Sequence, residues 1–200
     1  MKGYPLIINV VVLVVLSTYF SPVFAQSQRY PNNTESRELI RRFHQVPSNV
    51  NGDKKDFRSS LEKQRLTSFS NSWSKVFPSV APFLGTWRGL EESISIFPST
   101  VKNSVCILYQ GENNSTSFEV ASVSNRKIVT SKEFGRAYII KQKNRLGVMG
   151  IYNNSPNMSA FEFPVPLKRL ESLLSGRGQD SNKIIQQFKS SGCTTSKPNT

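Results

Sequence analysis

Apolar positions along this chain change period, and the changes mark its elements. Residues 26–52 are polar, with Asn32-Asn33, Pro47 and Asn51-Gly52 as turn signals. Within them Glu35–Gln45 is a short helical stretch whose Leu39, Ile40 and Phe43 form a narrow stripe. So short a helix does not stand alone in water, and the region reads as a mostly flexible arm. Over residues 53–77 the spacing becomes helical. Phe57, Leu61, Leu66, Phe69, Trp73, Val76 and Phe77 recur mainly at steps of three and four, with Lys and Arg opposite. Asp53 suits the N-cap, Asp56 the positive end of the helix dipole, and Pro78 the stop.

From Phe83 to Val165 the period drops to two. Thr86–Phe97, Ser104–Gln110, Ser117–Ser124, Arg126–Thr130, Phe134–Lys143, Arg145–Tyr152 and Ser159–Val165 read as strands. Turn signals separate them at Pro98-Ser99, Gly111–Asn114, Asn125, Asn144 and Asn153–Pro156. Seven strands with local connections predict an antiparallel meander, which loses its edges by curling or closing into a small barrel. Helical spacing then returns. Pro166, Leu167, Leu170 and Leu174 form one short helix, Gly176-Arg177-Gly178 interrupts, and Ile184, Ile185 and Phe188 form another that Gly192 ends. Residues 194–200 are a polar tail. The predicted class is mainly β with flanking helices: an arm over 26–52, a helix and linker over 53–82, and a β-barrel-like domain with C-terminal helices over 83–193.

Residues 1–25 stand apart from this plan. Lys2 precedes a run of Leu, Ile and Val over Leu6–Leu16, Ser21-Pro22 breaks it, and Val23 and Ala25 suit a cut before Gln26. That order predicts a secretory signal, removed on export to the periplasm or the exterior. The alternative is an uncleaved anchor over Tyr4–Phe20, at the short limit for a bilayer core of roughly 30 Å.

Charge and cysteines extend the picture. The chain carries 26 Lys and Arg against 13 Asp and Glu, a net +13 of which Lys2 alone belongs to residues 1–25. The charge is spread along the chain, with no dense basic arm and no interleaved aromatics, so nucleic acid is a poor partner. Diffuse attraction to an acidic envelope component fits better. In an oxidising compartment Cys106 and Cys193 invite one intramolecular bridge, the other option being two free thiols. Ser104–Gln110 is apolar on both faces, Val105, Ile107 and Tyr109 on one and Cys106 and Leu108 on the other. A strand of that kind needs cover on both sides. A bridge to Cys193 would pin a C-terminal helix over the outer face.

Catalytic constellations are scarce, and the chain reads as non-enzymatic. His44 is the only histidine, so neither a zinc site nor a Cys–His nucleophile is supported. Glu91 and Glu92, adjacent on the long predicted strand, would point to opposite faces and cannot flank one bond. No cofactor motif is present.

Phe83-Leu84-Gly85-Thr86-Trp87 resembles the F-x-G-x-W opening of lipocalins and wider calycin barrels. The resemblance implies that Gly85 allows a tight turn into the first strand and that Trp87 plugs the closed end. On a continuous strand, Trp87 has the opposite parity to Leu90, Ile94 and Ile96, which calls for a bulge near Gly89 or for Trp87 packed outside under the preceding helix. The resemblance also implies a cup for a small apolar ligand, or a surface that inhibits a partner protein. Candidate lining residues are Leu90, Ile94, Tyr109, Phe118, Val120, Tyr138, Ile140, Val148 and Phe161. Three functions follow, in order: a lipocalin-like binding protein for a small apolar ligand, a basic envelope-surface or interaction module, and an uncharacterised hydrolase.

Overall fold

A computed structural model describes residues 29–45, 56–112, 115–131, 135–175 and 180–198. The predicted signal, Asp53, Gly176–Gly178 and the end of the tail lie outside the described residues. Helix α1 spans Asn33–Gln45 and α2 spans Ser60–Ser74. A 3₁₀ turn over Ala81–Phe83 leads into strands β1 (Gly85–Arg88), β2 (Ser93–Pro98), β3 (Ser104–Gln110) and β4 (Thr116–Ser124). Strands β5 (Lys127–Val129), β6 (Tyr138–Gln142), β7 (Arg145–Tyr152) and β8 (Ser155–Val165) follow. Two helices, α3 (Leu170–Leu174) and α4 (Asp180–Ser190), complete the described chain. Each strand pairs antiparallel with the next, and β8 pairs with β1, so the sheet closes into a barrel of eight strands. Closure leaves no free edge.

The count is eight rather than seven because Thr86–Phe97 is not one strand. It folds back at Gly89–Glu92, where the Gly89 N–H donates to the Glu92 carbonyl at 2.8 Å. This turn also resolves the parity of Trp87 relative to Ile94 without a bulge near Gly89; the register shift at Trp87 lies in the pairing of β1 with β8, between Thr86 and Arg88. Trp87 pairs directly with Ile94, so both point inward. Its indole N–H donates to the Phe83 carbonyl at 2.7 Å, and its side chain is fully buried. Glu91 and Glu92 therefore sit in a turn, not on a strand.

The barrel interior is a continuous apolar cluster. Ile94, Ile96, Val105, Ile107, Val123, Ile128, Ile139, Leu146 and Phe161 meet across it, with Trp87, Phe83, Leu84 and Trp73 of α2 closing the foot. An eight-stranded barrel is about wide enough for side chains to fill. At the opposite end the residues that follow β5 are tied to the sheet. Inward-facing Glu119 accepts the Ser131 N–H at 2.6 Å, and the buried Thr130 hydroxyl donates to the Gly135 carbonyl at 2.8 Å.

Two outer faces are apolar because helices cover them. Phe97, Cys106, Leu108 and Phe118 pack under Leu170, Leu174, Ile184 and Phe188. Cys193 is bonded to Cys106, pinning the C-terminal element to the outside of β3 as the two-faced pattern of that strand predicts. The second covered face corrects the flexible-arm reading. Asn32 caps α1, its side-chain oxygen accepting the Thr34 and Glu35 N–H groups at 2.9 Å, while Glu35 reaches back to the Asn32 N–H. Leu39 and Phe43 are fully buried against Met149, with Ile140, Met158 and Ala160 around them. Gly147 makes the approach possible, since a Cβ there would lie 2.9 Å from the Phe43 ring. Tyr30 continues the strap, stacking on Tyr138 at 5.2 Å.

Helix α2 starts later than the sequence suggests. Ser59 is its N-cap, in a capping box with Glu62. Phe57 and Leu61, expected on the buried stripe, are 80% and 52% exposed, and Val76 is also exposed. Only Leu66, Phe69, Trp73 and Phe77 turn to the barrel foot.

Candidate functional site

The structure divides the nine residues proposed to line a cup. Ile94, Val148 and Phe161 face the interior, and Tyr109 reaches the rim of that cluster. Leu90 lies at the β1–β2 turn and is 73% exposed. Phe118 is on the outer face, 6.1 Å from the Phe188 ring, and Val120 is on the same outer face and 40% exposed. Tyr138 and Ile140 lie outside, under Tyr30 and α1. The error has a physical origin. Parity tells which residues share a face, not which face is inside. Ile107 pairs with Glu119, which makes Ser117, Glu119, Ala121 and Val123 the inner set of β4. Helical cover makes the outer faces of β3, β4, β6 and β7 as apolar as a core.

Gly85 and Trp87 both stand on β1 at the barrel foot, with Trp87 inside rather than under the preceding helix. Gly85 adopts a φ of +128°, and a Cβ there would come within 3.1 Å of both Leu66 of α2 and the Val165 carbonyl. Glycine thus permits both the turn and the close seating of α2 across the barrel foot. His44 lies at the C-terminal turn of α1, its ring edge-on to Phe43 at 6.3 Å.

Seating α2 there creates a cleft outside the barrel. It measures 450 Å³ and is lined by Gln64, Arg65, Leu66, Ser68 and Phe69 of α2, by Pro166 and Leu167 after β8, and by Thr195 and Lys197 of the tail. Its size falls in the range of small-molecule sites. One wall is anchored by Arg58, which donates to the Pro164 carbonyl at 2.9 Å and pairs with Asp56 at 2.8 Å. The Arg58 guanidinium beside Asp56, with Lys63 at 3.0 Å, holds that carboxyl well below the usual carboxylate range. The other wall is the tail. The Cys106–Cys193 bond fixes its start, the Thr194 N–H donates to the Pro98 carbonyl at 3.1 Å, and the Trp73 indole donates to the Ser196 carbonyl at 3.1 Å. The Lys197 ammonium then donates to the Ser68 hydroxyl at 2.9 Å. Leu66, Phe69, Pro166 and Leu167 supply apolar surface, while Arg65, Lys197, Gln64, Ser68 and Thr195 supply polar groups. The lining thus offers apolar surface, hydrogen-bonding groups and two cations with which to bind and orient a small molecule.

The far end of the barrel has the opposite character. The Tyr109 hydroxyl donates to Glu92. Burial, and then this carboxylate, push the Tyr109 phenol up. Glu112 is also raised, chiefly by sharing a hydrogen bond with Glu91. Carboxylates thus gather at the mouth, and cations at the cleft beside the foot.

The cleft residues carry no motif in sequence. Arg65 and Ser68 look like ordinary solvated helix positions, and Lys197 lies in a polar tail. Only the return of the tail to α2 brings them together.

The chain matches no protein-family model, no curated protein and no solved structure. Its likeness to calycin barrels stands at the coarse level of a closed, antiparallel, eight-stranded barrel.

Proposed function

We propose that this chain is an exported, non-enzymatic binding protein for a small molecule with an apolar body, held in the cleft on α2 rather than inside the barrel. The observation that carries the reading is the cleft itself, 450 Å³ with Leu66, Phe69, Pro166 and Leu167 among its lining and anchored by packed structure on both sides. The packed apolar cluster within the barrel supports the same location, because a ligand there would have to displace Trp87, Ile94 and Phe161. Preformed walls favour binding, since little ordering entropy is spent when the ligand arrives.

The test is titration of the disulfide-intact protein with a neutral naphthylamine dye that brightens in apolar surroundings. One saturable site is expected, weakened at least about tenfold by Leu167→Asp, because the charge would have to be desolvated against the ligand. Leu90→Asp, at the exposed turn on the opposite end, should leave binding unchanged. Absence of saturable binding, or equal sensitivity to both substitutions, would refute the reading.

A further inference from the structure

We infer that the molecule taken by this cleft is a monomeric anionic amphiphile, an alkyl chain ending in a carboxylate or a comparable oxyanion. The inference rests on the cleft being the ligand site and assigns the chemistry of the ligand's head. Both charged residues on the lining, Arg65 and Lys197, are cations. Neither takes part in an ion pair among the described residues, where Glu35, Glu38, Asp56 and Glu162 are matched by other arginines and by Lys63. Two cations facing one cleft repel each other, and a bound anion removes that cost. Arg65 and Ser68 lie three residues apart on α2, so they share a face, and Lys197 reaches that face through its hydrogen bond to Ser68. The cationic groups are exposed, and the apolar groups lie deeper, Leu66 buried and Phe69 and Leu167 partly so. An amphiphile fits that order, head outward and chain inward. The guanidinium presents a planar fork matched to two oxygens of one head, and the ammonium and the Gln64 amide add further donors.

The volume limits the partner. At roughly 30 Å³ per water-sized share, 450 Å³ corresponds to about fifteen such shares, enough for a short-chain amphiphile but not for a polymer segment. A membrane surface could present the same head groups. The cleft is concave, with its apolar surface below its charges, and such a shape suits a single extracted molecule rather than a bilayer plane.

Calorimetric titration with decanoate, decanol and decylammonium, each below its micelle concentration, tests the assignment. Decanoate is expected to bind most tightly and decylammonium most weakly. Arg65→Gln and Lys197→Gln should each weaken decanoate about three- to tenfold and leave decanol within about twofold, as fits partly exposed charge pairs. Raised salt should narrow the gap between decanoate and decanol. If decanol binds as tightly as decanoate, or if both substitutions weaken the two equally, the anionic head is wrong while the cleft stands. If none of the three binds, the cleft itself is wrong. Sedimentation with phosphatidylglycerol vesicles separates the two sources of the head. Binding that Lys197→Gln abolishes would overturn the monomeric ligand in favour of a membrane surface, and absence of vesicle binding supports the monomer.

Discussion

Replacing Gly147 by alanine should loosen α1 from the barrel, and the size of the effect follows from one contact. A Cβ at Gly147 would lie 2.9 Å from Cδ2 and 3.0 Å from Cε2 of Phe43. Carbon pairs prefer about 3.5–4.0 Å, so the ring would have to retreat by roughly half an ångström or more. It has little room, being fully buried with the Arg145 guanidinium 5.0 Å from its centroid. Overpacking of this kind costs about 1–3 kcal/mol. Phe43→Ala should cost about 3–5 kcal/mol as a buried aromatic, or less if α1 detaches, since the loss cannot exceed what docking contributes. The decisive measurement is the double variant. Without the Phe43 ring the added methyl meets no obstacle, and Gly147→Ala should be neutral or stabilise by about 0.4–1 kcal/mol through the unfolded chain. The cycle predicts a coupling of about 1–3 kcal/mol, read by urea unfolding of the barrel and by hydrogen exchange of the α1 amides. If Gly147→Ala costs the same with and without Phe43, to within about 0.5 kcal/mol, the two residues do not touch and the strap is not docked as described.

Two further outcomes are expected. Removing the Cys106–Cys193 bond with paired alanines releases a constraint spanning 87 residues, for which chain entropy alone allows about 4.5 kcal/mol. The melting temperature should fall by roughly 10–15 °C, and dye binding at the cleft should weaken with the loosened tail; loss of less than about 1 kcal/mol would count against the bond as an anchor. Asp56 should make stability acid-sensitive. Its folded pKa lies below the ordinary value near 3.9, so the contribution of its pair with Arg58 is fully present above about pH 4 and is lost as pH falls toward the folded pKa. The stability gap between the native chain and Asp56→Asn, followed by denaturant unfolding from pH 6 to 2.5, should therefore narrow on acidification, and a constant gap would contradict the assignment.

Much of the barrel is legible in the pattern of residues. Ser104–Gln110 and Arg145–Tyr152 fall where the sequence places them, because turn signals bound them: Gly111 after the first, Asn144 and Asn153 on either side of the second. Two cysteines allow a single intramolecular pairing, the two apolar faces of β3 favour it over two free thiols, and the structure forms it. The Gly89–Glu92 turn is missed because Leu90, Glu91 and Glu92 carry no strong turn signal, and one missed turn both removes a strand and inverts the parity of Trp87. The candidate cup suffers from a different ambiguity. Phe118, Val120, Tyr138 and Ile140 are as apolar as lumen residues, because three of them pack under added elements and the fourth shares their face.

By itself the sequence determined the local periods, the antiparallel meander they build, the need to cover β3 on both faces and the one intramolecular cysteine pairing that could secure the cover. Those properties depend on neighbours close in the chain or on residue types with one available partner. Tertiary structure alone decided which side of each strand is inside, that residues 33–45 form a docked strap, and that Arg65 and Lys197 share a cleft. Each of these depends on where a distant segment lands: Phe43 on Gly147, Leu66 over Gly85, and Ser196 on Trp73. No short-range pattern records such landings, because a glycine has no side chain to signal what packs on it, and Trp73 reads as core whichever segment its indole N–H reaches.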